Sequence, residues 1–179
     1  MPRQTRWFIH CFLLILLLGC ETSPRPSFEA ICVKVIDGDT CVFEKEGKFF
    51  VVRLVGIDAW ELSYNQRLIR QVLSWKRRGY GISYKTACLW GTNGWKTLQQ
   101  MIPEKTPVHL VTYGKDHYNR TLASLYLSNQ WINEKMIESG WAMTHFASNE
   151  IPTEEKSKLL HAEKKARKYK HGMWEFFDK

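Results

Sequence analysis

Residues 51–61, VVRLVGIDAWE, join an apolar run with the look of a buried β-strand to three charges, Arg53, Asp58 and Glu61. A buried charge without a partner costs several kcal/mol, so buried charges are paired or bind a metal. Any sheet that takes this strand into its core must therefore bring carboxylates to Arg53. Asp37, Asp39 and Asp58 are the nearest candidates in the chain. One strand thus limits the fold to those that return an acidic turn to its middle.

The flanking residues supply such a turn. Residues 31–36 are mostly apolar and rich in β-branched residues, Asp37-Gly38-Asp39 is turn chemistry, and residues 40–43 resume as a strand. Glu46-Gly47-Lys48 turns again, and residues 49–57 form a third strand, so the three make a meander. If the sheet curls, Asp39, Asp58 and Glu61 converge near Arg53. Clustered carboxylates repel unless a cation or guanidinium sits among them. Hard oxygen ligands favour Ca²⁺ or Mg²⁺ over zinc. Asp37 reads as a structural carboxylate of the turn.

Further along, Leu68, Ile69, Val72 and Leu73 have helical spacing, and residues 95–102 form a helix stopped by Pro103. Residues 108–112 and 122–127 are strand-like, and residues 132–140 are helical with Gly140 as the stop. Thr153 can cap the last helix, with Glu154 and Glu155 in its first turn, and Gly172 closes it. Its apolar face is Leu159, Ala162, Ala166 and Tyr169. Cys32, Cys41 and Cys88 allow at most one intramolecular disulfide among them, and no spacing suggests zinc.

The formal net charge of +8 favours polyanionic partners, nucleic acid or an anionic membrane. Residues 1–20 carry Arg3 and Arg6 ahead of an apolar run at 12–18, which is a signal-peptide pattern. Leu17-Leu18-Gly19-Cys20 resembles a bacterial lipobox, which implies lipidation at Cys20 and an exported, membrane-anchored lipoprotein. Ordinary secretion of a soluble chain is the alternative. Residues 21–29 read as a tether.

Five blocks then carry a family resemblance. The stretches V-I-D-G-D-T at 35–40 and V-R-L-V-G-I-D-A-W-E at 52–61 resemble the staphylococcal-type nucleases, or thermonucleases. Asp116-His117-Tyr118-Asn119-Arg120 is similar to that family's D-K/R-Y-G-R segment. Ile132-Asn133 through Gly140-Trp141-Ala142, and Ala162 through Trp174, are similar to its closing blocks. The resemblance implies an α+β fold, a five-stranded OB-type β-barrel with three helices. The domain would span residues 30–176, with 62–90 as an inserted segment. It also implies Ca²⁺-dependent hydrolysis of DNA, RNA or both by a monomer, with no protein partner.

Residue by residue, the resemblance makes Asp39 and Asp58 metal carboxylates and Ala59 the source of a metal-binding carbonyl. It makes Glu61 the general base, Arg53 and Arg120 the phosphate-holding arginines, and Tyr118 a nucleotide contact. The chemistry suits these types. Attack on an anionic phosphodiester adds charge, and neutralising that charge is the main task. A guanidinium is planar, always charged and grips two oxygens at once.

Departures from the pattern mark where the geometry can differ. Trp60 replaces a usual proline, His117 and Asn119 replace a basic residue and a glycine, and His145 and Phe146 stand where tyrosines are usual. The aromatics and basic residues of 62–90 suit either a single-strand grip or a packed cluster. Two other functions compete with hydrolysis. One is a non-catalytic OB-fold nucleic-acid-binding lipoprotein, the other an envelope lipoprotein whose charges are merely paired.

Overall fold

The meander forms as the sequence implies in the computed structural model, which describes residues 24–146 and 151–177. Strands β1 (Ser27–Val35), β2 (Thr40–Lys45) and β3 (Lys48–Leu54) pair antiparallel in order. β1 begins before residue 30, so the end of the expected tether is already in the sheet, where Ser27 faces Val111. Residues 1–20 and the lipidation site expected at Cys20 lie outside the described residues.

The third strand is shorter than the apolar run suggests. It stops at Leu54, turns at Gly56 and restarts as β4 (Ile57–Ala59). Gly56 sits at φ +75°, and a Cβ there would stand 2.4 Å from Leu159 Cδ1. Glycine takes this backbone without strain. The turn folds Asp58 back beside Arg53.

Strands β5 (Pro107–Lys115), β6 (Thr121–Leu127) and the short β7 (Gln130–Trp131) complete the sheet, ordered β3-β2-β1-β5-β6-β7. β3 also pairs parallel with β6, matching Arg53 to Leu122, and this closes a five-stranded barrel. Closure removes the open sheet edges. A separate pair joins β4 to β8 (Ala142–Thr144), with Asp58 opposite Met143. The barrel core includes Phe43, Leu54, Leu110, Leu125, Met136 and Ile137, all fully buried.

Four α-helices are described rather than the three expected. The additional one is α1 (Gln66–Arg77), inside the segment read as inserted. α2 (Tyr84–Met101) begins eleven residues before the expected start at 95, capped by Ser83, whose side chain accepts from the Thr86 amide. Gly91 and Gly94 weaken the helical pattern and so hide this start in the sequence. α3 (Ile132–Glu138) is followed by Gly140 at φ +76°. α4 (Thr153–Lys168) is preceded by Pro152, and Thr153 is its first helical residue rather than a side-chain cap. Leu159, Ala162 and Ala166 are buried as expected, but Tyr169 is exposed and ends the helix. Gly172 opens a 3₁₀ turn, Gly172–Phe176.

The inserted segment builds a second core. α1 buries Leu68, Val72 and Trp75, one face at helical spacing. These pack with Trp60, Ala87, Trp90, Met173 and Trp174. Trp75 and Trp90 therefore serve packing, not the single-strand grip that the sequence allowed. Trp60, in the place of a proline, is fully buried, and its indole N–H donates to Met173 Sδ at 3.1 Å. Cys32, Cys41 and Cys88 are all free thiols, so the single disulfide that the count allowed is not formed among them.

Candidate active site

Arg53 is where the barrel concentrates charge. Antiparallel pairing sets it opposite Thr40, next to Asp39, and the Leu54 amide donates to the Asp39 carbonyl at 2.8 Å. The guanidinium forks. Nη1 meets Asp39 Oδ1 at 2.7 Å, and Nη2 meets Asp58 Oδ1 at 3.1 Å. Arg53 is 7% exposed and Asp39 is 2% exposed. The partners that the strand required are thus Asp39 and Asp58, not Asp37.

Burial alone would raise the Asp39 carboxyl, but Arg53 and Arg67 beside it, with the Ala59 amide donating at 2.7 Å, hold it below the usual carboxylate range. Asp37, one residue from Gly38, is pushed up to about 7 by burial and by the charge of Asp39. Its Oδ1 accepts the Asp39 amide at 2.9 Å, the bond of a structural turn carboxylate.

Arg120 arrives from the turn between β5 and β6. Parallel pairing of β3 with β6 places Arg53 beside Leu122, two residues beyond Arg120. The turn before β6 is closed by Asp116, whose amide donates to the Arg120 carbonyl and whose carboxylate accepts from Arg120 Nε at 2.7 Å. These hydrogen bonds hold Asp116 low although burial opposes it. Asn119 sits at φ +64°, the left-handed backbone that a glycine would supply, and asparagine tolerates it. The turn therefore survives the replacement. Tyr118 is largely exposed, with the Arg120 guanidinium 5.5 Å from its ring centroid.

Arg53, Asp58, Tyr118 and Arg120 line one open cavity of about 960 Å³. α1 forms another wall with Arg67, Arg70 and Arg78, and α4 contributes Lys164 and Arg167. Basic walls of this kind raise the local concentration of an anionic ligand. Asp39, Ala59 and Glu61 do not line the cavity. Asp39 and Ala59 are buried beneath it, and Glu61 is held by its neighbours. Glu61 Oε2 accepts from Asn65 Nδ2 at 2.8 Å, and its Oε1 lies 3.0 Å from Arg67 Nε.

Two residues with no role in the sequence reading complete the site. Arg67 Nη2 lies 2.5 Å from Asp58 Oδ1 and 3.9 Å from Asp39 Oδ2. Burial works against its charge, yet Asp39, Asp58 and Glu61 raise its pKa well above the usual value. Gln71 Nε2 donates to Asp58 Oδ2 at 3.0 Å and to the Ala59 carbonyl at 2.8 Å. Its own Oε1 is buried without a hydrogen bond among the described residues. The signal in the sequence was spacing. Arg67 and Gln71 lie four apart, on a different helical face from Leu68, Val72 and Trp75.

The backbone carrying Glu61 is pressed from behind by α2. A Cβ added at Gly91 would stand 2.3 Å from the Glu61 carbonyl oxygen and 2.6 Å from that of Trp60. Overpacking of this kind costs about 1–3 kcal/mol. Gly91→Ala should therefore lower the melting temperature and shift Glu61. Thermal melting with parallel rate measurement checks this; unchanged values in both would mean the contact is slack.

Comparison with known protein families covers this architecture from within β3 onward. The staphylococcal nuclease homologue family model matches residues 51–176. The chain is 28% identical over 142 residues to a thermonuclease of Staphylococcus hyicus, covering 79% of this chain and 73% of that one. It is 30% identical over 165 residues to an uncharacterized endonuclease of Haemophilus influenzae, covering 90% and 75%. A thermonuclease of Staphylococcus intermedius is 28% identical over 144 residues, covering 79% and 73%.

Proposed function

The chain belongs to the staphylococcal nuclease family, and from that premise we propose that it hydrolyses phosphodiester bonds of DNA, RNA or both in the cavity beneath Arg53 and Arg120. The observation that carries this reading is the presence of both arginines on one basic cavity, delivered by strands that meet only when the barrel closes.

In the reaction, water adds to phosphorus and the bond to one ester oxygen breaks. Glu61, bonded to the cavity-lining Arg67 though not itself on the cavity, takes the proton from the attacking water as the resemblance implies, and solvent supplies one to the departing oxygen. Arg53 and Arg120 neutralise the charge that develops on the phosphoryl oxygens. Tyr118, exposed beside Arg120, offers a face for a base.

Calcium, which the family resemblance implies, would be held by Asp39, Asp58 and the Ala59 carbonyl. These oxygens are of the hard type such an ion takes. They are nonetheless engaged by Arg53, Arg67, Gln71 and backbone N–H groups, and no group of three or more His, Cys, Asp or Glu is arranged to hold a metal among the described residues. The donor set as folded does not fit the ion, so hydrolysis is derived from the chain's own groups.

Export and a lipid anchor at Cys20 complete the proposal and rest on residues 1–20 alone. Among the described residues no helix is long and apolar enough to cross a membrane.

Incubating the purified full chain with single- and double-stranded DNA and with RNA tests the function. Cleavage is expected, and Arg120→Ala should slow it by about 10²–10³-fold, the usual loss for one transition-state donor. Arg120 is partly exposed at the cavity and, among the described residues, its side chain is bonded only within its own turn, so the fold should persist. Salt-sensitive binding without cleavage would instead favour the non-catalytic module.

A further inference from the structure

We propose that Arg67 is the resident cation of this site, filling the place among Asp39, Asp58 and Glu61 that a divalent ion would need and turning its free edge to the phosphate. The inference rests on the nuclease reading for the phosphate contact, but the occupancy of the site can be tested by itself.

The arrangement is complete. Arg67 spans the three carboxylates through Nη2 and Nε, at 2.5 Å to Asp58, 3.0 Å to Glu61 and 3.9 Å to Asp39. One turn on, Gln71 takes the two acceptors that Arg67 does not, Asp58 Oδ2 and the Ala59 carbonyl. Asp39 is closed from the other side by Arg53, Thr40 and the Ala59 amide. A calcium ion takes six to eight oxygens at about 2.3–2.6 Å. It would have to expel both side chains before finding three.

Neither side chain is loosely placed. Both stand on α1, which is capped by Asn65 through the Leu68 amide and anchored in the second core by Leu68, Val72 and Trp75. Asn65 also donates to Glu61, so the helix start and the carboxylate are fixed together. Arg67 Nη1 makes no hydrogen bond among the described residues, and its side chain is 31% exposed on the cavity shared with Arg53 and Arg120. Arg53, whose Nη1 and Nη2 are taken by Asp39 and Asp58, thus shares one cavity with the guanidiniums of Arg67 and Arg120. A guanidinium carries less charge than a divalent ion but grips two oxygens in a plane.

Calorimetric titration of the full chain in detergent with CaCl₂, beside cleavage assays in excess chelator, decides the matter. Wild type should show no saturable calcium binding up to about 1 mM, the weak limit of dedicated calcium sites. It should cleave equally with and without chelator. Arg67→Ala with Gln71→Ala frees the oxygens and should gain calcium binding, by about 10–100-fold, the scale on which a ligand's neighbours alter metal affinity. Circular dichroism confirms folding. Gln71→Ala alone, which opens only Asp58 Oδ2 and the Ala59 carbonyl, serves if the double variant does not fold, and should gain binding to a smaller degree. Arg67→Ala should lose chelator-resistant cleavage.

Saturable calcium binding by wild type, with cleavage only in its presence, overturns the inference and leaves the nuclease reading intact. If nothing is cleaved under any condition, the nuclease reading falls and calorimetry alone judges Arg67. A silent wild type beside a binding variant upholds it, and a binding wild type ends it.

Discussion

Arg53→Ala is expected to nearly abolish cleavage and to weaken the fold as well. The first effect follows from its place on the cavity beside Arg120. Removing one donor to the developing charge costs about 10²–10³-fold in rate. The second follows from burial. Asp39 is almost fully enclosed, and Arg53 is its closest cationic partner. Deleting one member of a buried ion pair costs about 3–5 kcal/mol, because the other charge is left uncompensated. Arg67, at 3.9 Å from Asp39, can recover only part of this. The geometry therefore predicts a marked loss of melting temperature. Arg53→Lys keeps the charge without the fork, so it should restore more stability than activity. Denaturant titration with rates measured well below the midpoint separates the two effects. A variant as stable as wild type would show that Asp39 does not depend on this partner.

Glu61→Gln is the second large effect, and its character is opposite. Glutamine keeps an oxygen for Arg67 Nε or Asn65 Nδ2, so stability should change little. If Glu61 accepts the proton of the attacking water, kcat should fall by about 10²–10⁴-fold with KM nearly constant. Both carboxylate oxygens already accept from a neighbour, but each has a further lone pair for a water. Wild-type kcat in this variant would reduce Glu61 to a support for Arg67. An increase in KM alone would place it in substrate binding.

These contrasts show how far the residues could be read in advance. The acidic turn and the charged strand were legible because each is local: a DGD turn and a β-branched run announce themselves within a few positions. The Asp116–Arg120 segment was marked only by the family resemblance, with Asn119 a departure whose left-handed backbone the structure revealed. Trp60 was legible only as an oddity. Its meaning, a fully buried ring against Trp75 and Trp90, needed residues from within the inserted segment. α1 was visible through its apolar spacing, but its polar face gave no sign of its target. The start of α2 was hidden by Gly91 and Gly94, which are there for close approach; a Cβ on Gly94 would stand 3.2 Å from the Trp141 carbonyl.

The amino-acid order by itself determined which groups would be forced to meet a partner: an arginine placed inside an apolar strand has no stable alternative to a carboxylate. Only the tertiary structure decided which groups did so. Barrel closure brought Arg53 level with Leu122 and so onto the same cavity as Arg120. Docking of α1 into the second core carried Arg67 and Gln71 onto the oxygens that had seemed free for a metal. The reason is physical. Periodicity shows that a face must leave water, but hydrophobic burial is non-directional, and what that face meets depends on every other element packed around it.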